Sequence, residues 1–277
     1  MDGKLGYLGP AGTFSEEAAL LYNRTHNFEL IERPTVAQVM EGVAAGSLEQ
    51  GVVPLENSLE GSISITLDLL VQHSGIQIYR EIIYPVRQCL LVFPGTALEQ
   101  ITQVISHPHA LGQCRNFLNT TLQNAACRLV ESTAAAAAMV AALPGSAAIA
   151  PRRAAALFHL DLLVENIQDN DDNVTRFVVI ARQEHSPTGH DKTSLVLTVP
   201  DGPGSLYSIL GFFAHRKINL TRIESRPARR SLGDWFFFID CEGHRCDPSM
   251  AGLWEELAKQ VSFIKLLGSY PCAKRLP

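Results

Sequence analysis

Residues 5–16 read LGYLGPAGTFSE: a short apolar strand, a Gly-Pro-Ala-Gly turn, then Thr13 and Glu16 at the spacing of a helix capping box. This predicts a strand over 5–8 and a helix running from Thr13 towards Tyr22. The junction recurs further along. Strand 51–53 is followed by PLENSLEG, in which Asn57 and Glu60 repeat the capping spacing. Strand 103–106 runs into HPHALGQC, with Pro108 suited to the first helical position. Ser132 and Thr133 open an alanine-rich helix that ends near Gly145. Short apolar runs alternating with helical patterns imply α/β layers with mostly parallel strands. Helix N-termini gathered at the carboxyl ends of strands offer unpaired N–H groups and positive dipole ends. Capping alone accounts for any single junction; the repetition points to a small carboxylate ligand. Phosphate fits less well, because the Walker Gly-Lys-Ser/Thr ending is missing and GPAGT does not form G-x-G-x-x-G.

Composition narrows the class. The 277 residues are 46% hydrophobic and 18% charged, enough to bury a core and divide into two or three domains, which excludes a disordered or fibrous chain. Twenty-eight acidic residues against 23 basic ones leave a net charge of -5, so no global attraction exists for nucleic acid or an anionic membrane. The six cysteines (89, 114, 127, 241, 246, 272) form no C-x-x-C pair and read as reduced thiols. With no signal-peptide pattern and no membrane-length apolar segment, a soluble cytoplasmic protein is expected.

The stretch RQEHSPTGHDK over 182–192 is polar and carries Pro187 and Gly189, which marks a domain boundary. Beyond it the pattern reads strand 194–199, helix 205–216, strand 218–226, strand 234–241, helix 248–260 and strand 262–268: a βαββαβ unit. Leu206, Ile209, Leu210 and Phe213 form one helical stripe, and Met250, Leu253, Trp254, Leu257 and Val261 another, so both helices should cover one sheet face. The second face and the open edges predict a homo-oligomer, dimeric or tetrameric.

Among polar candidates, His107-Pro-His109 is half of a metal site at most, with no third ligand at a useful spacing; a capping role competes with it. In NIQDNDDNVTRFVVIAR, a polar loop delivers Thr175 and Arg176 to the start of an apolar strand. An arginine there can fork onto a carboxylate, and a threonine hydroxyl can donate to a leaving oxygen. A surface turn is the alternative. Arg216, Lys217, Arg222, Arg226, Arg229 and Arg230 make a basic stretch broken by Glu224, read as a solvated face or a carboxylate-binding rim.

With these motifs assembled, the chain resembles the prephenate dehydratase family along nearly its whole length. YLGPAGTFSEEAA, VVPLENSLEGS, ISHPHALGQC, ESTAAAA, AAIAP and NIQDNDDNVTRFVVI occur in the family's order. The resemblance implies a two-lobed catalytic domain of the type II periplasmic-binding-protein kind over 1–182, with lobe one at 1–76 and 161–182 and lobe two at 77–160. A linker at 183–192 and an ACT regulatory domain at 193–272 follow. The implied reaction is decarboxylation and dehydration of prephenate to phenylpyruvate in phenylalanine biosynthesis, with no cofactor and no metal. Thr175, Asn57 and Gln113 are the implied catalytic residues. Thr13, Ser58, His107, Thr133, Arg176 and Phe177 are the implied substrate-binding ones, although alternation along the strand turns Arg176 to the face opposite Thr175 and Phe177. Gly204-Ser205-Leu206 and Glu224-Ser225-Arg226-Pro227 stand where the family binds L-phenylalanine as allosteric effector. Two departures are visible: Ser205 replaces the usual alanine, and His109 stands where glutamine is usual. No chorismate mutase activity is expected, since the dehydratase motif begins at Tyr7. Arogenate as substrate, or an amino-acid sensor without chemistry, are the competing readings.

Overall fold

The computed structural model describes residues 3–227 and 235–273. Arg229, Arg230 and Asp234 lie outside the described residues. Three sheets carry the fold. In the first, β1 (Lys4–Leu8), β2 (Glu29–Arg33) and β3 (Gln50–Asn57) are parallel, joined through α1 (Phe14–Asn23) and α2 (Val36–Ala44). After a two-residue strand β4 (Gly61–Ser62) and α3 (Ser64–Gln72), β5 (Gln77–Pro85) completes the edge. The order is β2-β1-β3-β11-β5, with β11 (Val174–Ala181) antiparallel to both neighbours. β11 is apolar almost throughout because helices or other layers cover both its faces. Phe177 and Val179 pack with Ala18, Ala19 and Tyr22 of α1, while Val178 and Ile180 pack with Val39, Met40 and Val43 of α2.

The second sheet has the order β10-β6-β9-β7-β8. It comprises β6 (Cys89–Val92), β7 (Gln103–Ser106), β8 (Ala126–Leu129), β9 (Ser146–Ala150) and β10 (Asp161–Val164). Helices α4 (Pro108–Gln113), α5 (Arg115–Thr121), α6 (Thr133–Val140) and α7 (Arg152–Phe158) lie between them in the chain. The lobe boundaries therefore differ from those expected. Residues 77–85 belong to the first sheet, in register with β11 from Gln77↔Ala181 to Pro85↔Val174, and 161–164 belong to the second, against β6. The apolar run over 76–93 holds two strands end to end, and periodicity cannot say which sheet each joins. The chain crosses between lobes near 86–88 and again over 165–173. Val86 N–H donates to the Asn173 carbonyl (2.9 Å), Ile167 N–H to the Gln88 carbonyl (3.0 Å) and Gln88 N–H to Gln168 Oε1 (2.9 Å), so the two crossings are stitched together.

The C-terminal unit is the expected βαββαβ: β12 (Asp191–Thr198), α8 (Ser205–His215), β13 (Leu220–Pro227), β14 (Trp235–Glu242), α9 (Leu253–Ala258) and β15 (Ile264–Pro271), in sheet order β13-β14-β12-β15. The second predicted helix is shorter than 248–260. Gly252 at φ 73° interrupts it, leaving a 3-10 turn at Pro248–Met250 before α9. Ile209, Phe213, Met250, Leu253 and Leu257 bury one sheet face, as their stripes imply.

The other face is not open. Val196, Phe236, Phe238, Leu267 and Tyr270 form one core with Val53, Leu55, Leu67, Leu70 and Ile78 of the first lobe. The chain thus covers by itself the face on which the oligomer was expected to rest. The β13 edge remains, flanked by Ile223 and Trp235, which are 47% and 45% exposed. Lys265 of β15 donates to the carbonyls of Leu70 (2.6 Å), Val71 (3.1 Å) and His73 (2.6 Å), supplying the donors that the end of α3 lacks. Gly268 passes so near β5 that a Cβ would stand 2.2 Å from the Ile78 carbonyl oxygen, and its φ of 148° suits glycine. Gly268→Ala is expected to cost about 2–4 kcal/mol of stability through backbone displacement. Equilibrium urea unfolding checks this; a variant as stable as the parent contradicts the close packing.

Candidate active site

Thr175 and Asn57 face each other across β11 and β3, at the end of β3 and the start of β11. Asn57 Oδ1 accepts from the N–H groups of Leu59 (2.9 Å) and Glu60 (3.0 Å). This is an Asx turn into β4, so the capping spacing at Asn57 and Glu60 closes a hairpin and opens no helix. Because Oδ1 is committed to two backbone donors, Nδ2 must point the other way. There it donates to Thr175 Oγ1 (2.9 Å), Asn173 Oδ1 (2.9 Å) and the Val174 carbonyl (3.3 Å). Thr175 Oγ1 is therefore an acceptor from Asn57, and its own proton is free to be given to a ligand. The side chain is nearly buried yet reaches the surface of the site, at 9% exposure.

Ser58 holds the strand start: its Oγ accepts from Val174 N–H (3.0 Å) and donates to Asn173 Oδ1 (3.4 Å), while its N–H donates to the Val174 carbonyl (2.9 Å). Asn173 went unnoticed in the sequence, masked by its polar neighbours in NIQDNDDN. It is buried, anchors both Asn57 and Ser58, and keeps an Nδ2 without an acceptor among the described residues.

On the second lobe, His107 is the N-cap of α4, its Nδ1 accepting from His109 N–H (3.3 Å). Burial, then the neighbouring His109, pushes its pKa down. The neutral ring that accepts at Nδ1 carries its proton on Nε2. His109 stacks edge-on at 4.9 Å and extends to 4.0 Å from Glu60 of the first lobe, a contact across the cleft. Gln113 accepts at Oε1 from Gln88 Nε2 (3.2 Å), which turns its own amide donors outward. Ser132, not Thr133, caps α6, accepting from Ala135 N–H (3.0 Å); Thr133 is the first helical residue.

Three expected substrate ligands are used otherwise. Thr13 caps α1 and donates to the Pro10 carbonyl (2.9 Å), and the Glu16 carboxylate takes the Gly12 N–H (2.7 Å). The positive end of α1 is thus neutralised by its own capping residue. Glu16 also pairs with Arg153 of α7 at 3.3 Å, tying the lobes. Phe177 lies in the core beneath α1, on the Thr175 face but out of the cleft. Arg176 turns to the opposite face, as alternation implies, and its ligands are protein groups. Its NH1 meets Asp240 Oδ2 (2.6 Å) and its NH2 donates to the Tyr270 hydroxyl (2.7 Å). Glu81 Oε2 and Glu56 Oε2 lie 2.8 and 3.7 Å away. Burial acts to raise the Asp240 pKa, but Arg176 and Arg222 outweigh it and hold it below the usual carboxylate range.

The effector motif is divided between faces. Gly204, at φ 81°, precedes Ser205 and Leu206 at the start of α8. Ser225 and Pro227 are exposed on β13, whereas Glu224 and Arg226 turn towards the first lobe. Glu224 bonds Ser62 and Arg222, and Arg226 reaches the Ser64 carbonyl (2.9 Å) and Asp68 (3.2 Å). Within the chain, then, Glu224 and Arg226 are engaged by the first lobe, and Ser225 and Pro227 are not.

A cavity of about 280 Å³ lies where the lobes meet, lined by Phe14, Glu17, Tyr84, Arg87 and Arg152 among others. Tyr84, one of its lining residues, is the ladder partner of Thr175 on β5. Burial raises the Glu17 pKa. Among the described residues no group of three His, Cys, Asp or Glu side chains is placed to hold a metal, and no helix is long and apolar enough to cross a membrane. All six cysteines are free.

The prephenate dehydratase family profile matches residues 5–185 and the ACT domain profile residues 193–245. A bifunctional chorismate mutase/prephenate dehydratase of Aquifex aeolicus is 40% identical over 98% of this chain and 74% of its own length. A prephenate dehydratase of Corynebacterium glutamicum is 37% identical, over 96% of this chain and 87% of its own. The crystal structure of prephenate dehydratase from Arthrobacter aurescens, in complex with L-Phe, superposes with a TM-score of 0.91 at 38% identity, covering 99% of this chain and 92% of that one. By sequence and by fold, this chain belongs to the prephenate dehydratase family, with an ACT domain at its C-terminal end.

Proposed function

We propose that the chain converts prephenate to phenylpyruvate, losing carbon dioxide and water, and that L-phenylalanine regulates it through the ACT domain. The observation that carries the chemistry is the Asn57 amide, locked by two backbone donors so that it must donate to Thr175 Oγ1. As the carbon–carbon bond to the ring carboxylate breaks, its electron pair enters the ring and the hydroxyl across the ring departs. Thr175 O–H donates to that oxygen, and the Asn57 N–H stabilises the charge that grows on Oγ1. An alcohol is a weak acid, so Thr175 acts as a positioned donor within a proton relay. The outward amide of Gln113 and the Nε2–H of His107 are candidates for holding the substrate carboxylates.

Regulation by L-phenylalanine has the support of the L-Phe complex of the Arthrobacter aurescens relative. In this chain the Gly204–Leu206 turn and the exposed Ser225 and Pro227 share the helix-bearing side of the ACT sheet. A homodimer or homotetramer is our reading of the exposed β13 edge. The two-substrate assay tests the function: purified chain is expected to release phenylpyruvate from prephenate faster than phenylalanine from arogenate, and to be inhibited by L-phenylalanine. Preference for arogenate would make it an arogenate dehydratase; no turnover of either would make it a sensor.

A further inference from the structure

We propose that Arg176 is a positioning residue that couples the ACT domain to the Thr175–Asn57 pair, with Asp240 as the partner that the ACT domain brings to it. The proposal rests on reading the chain as a phenylalanine-regulated prephenate dehydratase.

Thr175 and Asn57 are neighbours across the β11–β3 ladder, and so are the next residues along, Arg176 and Glu56. By strand alternation the reacting pair occupies one face and this ion pair backs it on the other. The register shifts immediately after Arg176, where Leu55 is the extra residue of β3. Such a bulge bends the strand and re-aims its side chains, so the ladder alone does not fix Thr175 against Asn57. The charge cluster behind adds to what Asn173, Ser58 and the β5 ladder contribute in fixing them.

That cluster belongs to both domains. Arg176 has two carboxylates from its own lobe, Glu56 and Glu81, and one from the ACT domain, Asp240. The ACT contact is the best formed, at 2.6 Å, and Ser194 Oγ donates to the other oxygen of Asp240 (2.5 Å). The Arg176 Nε, although 2.8 Å from Glu81, has no hydrogen-bond acceptor among the described residues, so its N–H does not point at that oxygen. The guanidinium is aligned to the ACT domain at the expense of its own lobe. Arg222 of β13 closes the circuit: it lies 3.5 Å from Glu56 and donates to Ser62 Oγ (2.6 Å) of the hairpin that Asn57 caps. A shift of the ACT sheet that withdraws Asp240 would let Arg176 turn to Glu56 and Glu81, pulling on the backbone of Thr175 and Asn57 together. Two discrete partnerings of one buried cation are the kind of two-state element through which distant sites are coupled.

The test uses the full chain with Asp240→Asn, which keeps the side-chain size and an acceptor for Ser194 and removes the charge. Two quantities are read: the affinity for L-phenylalanine by calorimetry, and the factor by which saturating L-phenylalanine raises KM or lowers kcat for prephenate. For the parent chain a factor of about 5–150 is typical of allosteric coupling. In D240N Arg176 turns to Glu56 and Glu81 without the effector, so uninhibited turnover is expected to fall towards the parent's inhibited level and the factor to about 2 or less, while L-phenylalanine still binds. Tyr270→Phe removes one hydrogen bond to Arg176, keeps every charge, and should give a partial loss. A merely structural role would change stability or basal turnover and leave the coupling factor alone. An undiminished factor in D240N, or loss of L-phenylalanine binding, overturns the proposal; should D240N not fold, an undiminished factor in Y270F does so. A parent chain that lacks turnover, or that turns over without responding to L-phenylalanine, fails the functional reading instead.

Discussion

Replacing Thr175 with alanine is expected to lower kcat by at least about 100-fold, with little change in KM, because a bond to the departing hydroxyl strengthens mainly in the transition state. The fold should survive. Among the described residues Thr175 Oγ1 serves only as an acceptor from Asn57, whose Nδ2 retains Asn173 Oδ1 and the Val174 carbonyl. The cost in stability is that of one hydrogen bond, about 1 kcal/mol. Steady-state kinetics with prephenate, alongside thermal unfolding, separates the two effects. A folded variant that keeps the parent kcat removes Thr175 from the mechanism.

Asn57→Asp is expected to be as damaging for a different reason. The retained Oδ1 still accepts from Leu59 and Glu60, so the turn forms. The new oxygen replaces the amide donor facing Thr175, Asn173 and the Val174 carbonyl. Thr175 then turns its proton onto the carboxylate and has none for the substrate. Asn173 can rotate its amide to meet the new charge, since its Nδ2 lacks an acceptor among the described residues. Loss of a positioned donor in such a site costs about 100- to 1000-fold in kcat. Circular dichroism should show an intact fold; full activity would mean that the direction of the Asn57–Thr175 bond is immaterial.

The parts legible in the sequence were those set by local chemistry. Pro108 marks the first residue of α4 and Thr13 the cap of α1, as their positions imply. The βαββαβ order followed from helical stripes and alternating strands, each dictated by one buried face. Parity along β11 put Arg176 opposite Thr175, which is observed. What parity cannot say is what covers the opposite face. The resemblance implies a ligand's role for Arg176, and nothing nearby in the sequence supplies the partners that occupy it: Asp240 and Tyr270 lie 64 and 94 residues further on. The contacts of Glu224 and Arg226 are equally illegible, because the hairpin and α3 that they hold are remote in the chain. The spacing of Asn57 and Glu60 resembles a helix cap because an Asx turn into a hairpin and a helix start begin with the same two hydrogen bonds. The boundary at 77 failed because only β11, more than 90 residues later, shows to which sheet β5 belongs.

The most direct measurement is kcat for Thr175→Ser set against Thr175→Ala, both with prephenate. Serine keeps the hydroxyl that accepts from Asn57 and donates to the leaving oxygen, and gives up only a methyl group. Turnover of the serine variant within about tenfold of the parent, with the alanine variant at least about 100-fold down, is the result predicted for a positioned proton donor. Equal losses in the two variants would show that packing at position 175, and not its hydroxyl, supports the reaction.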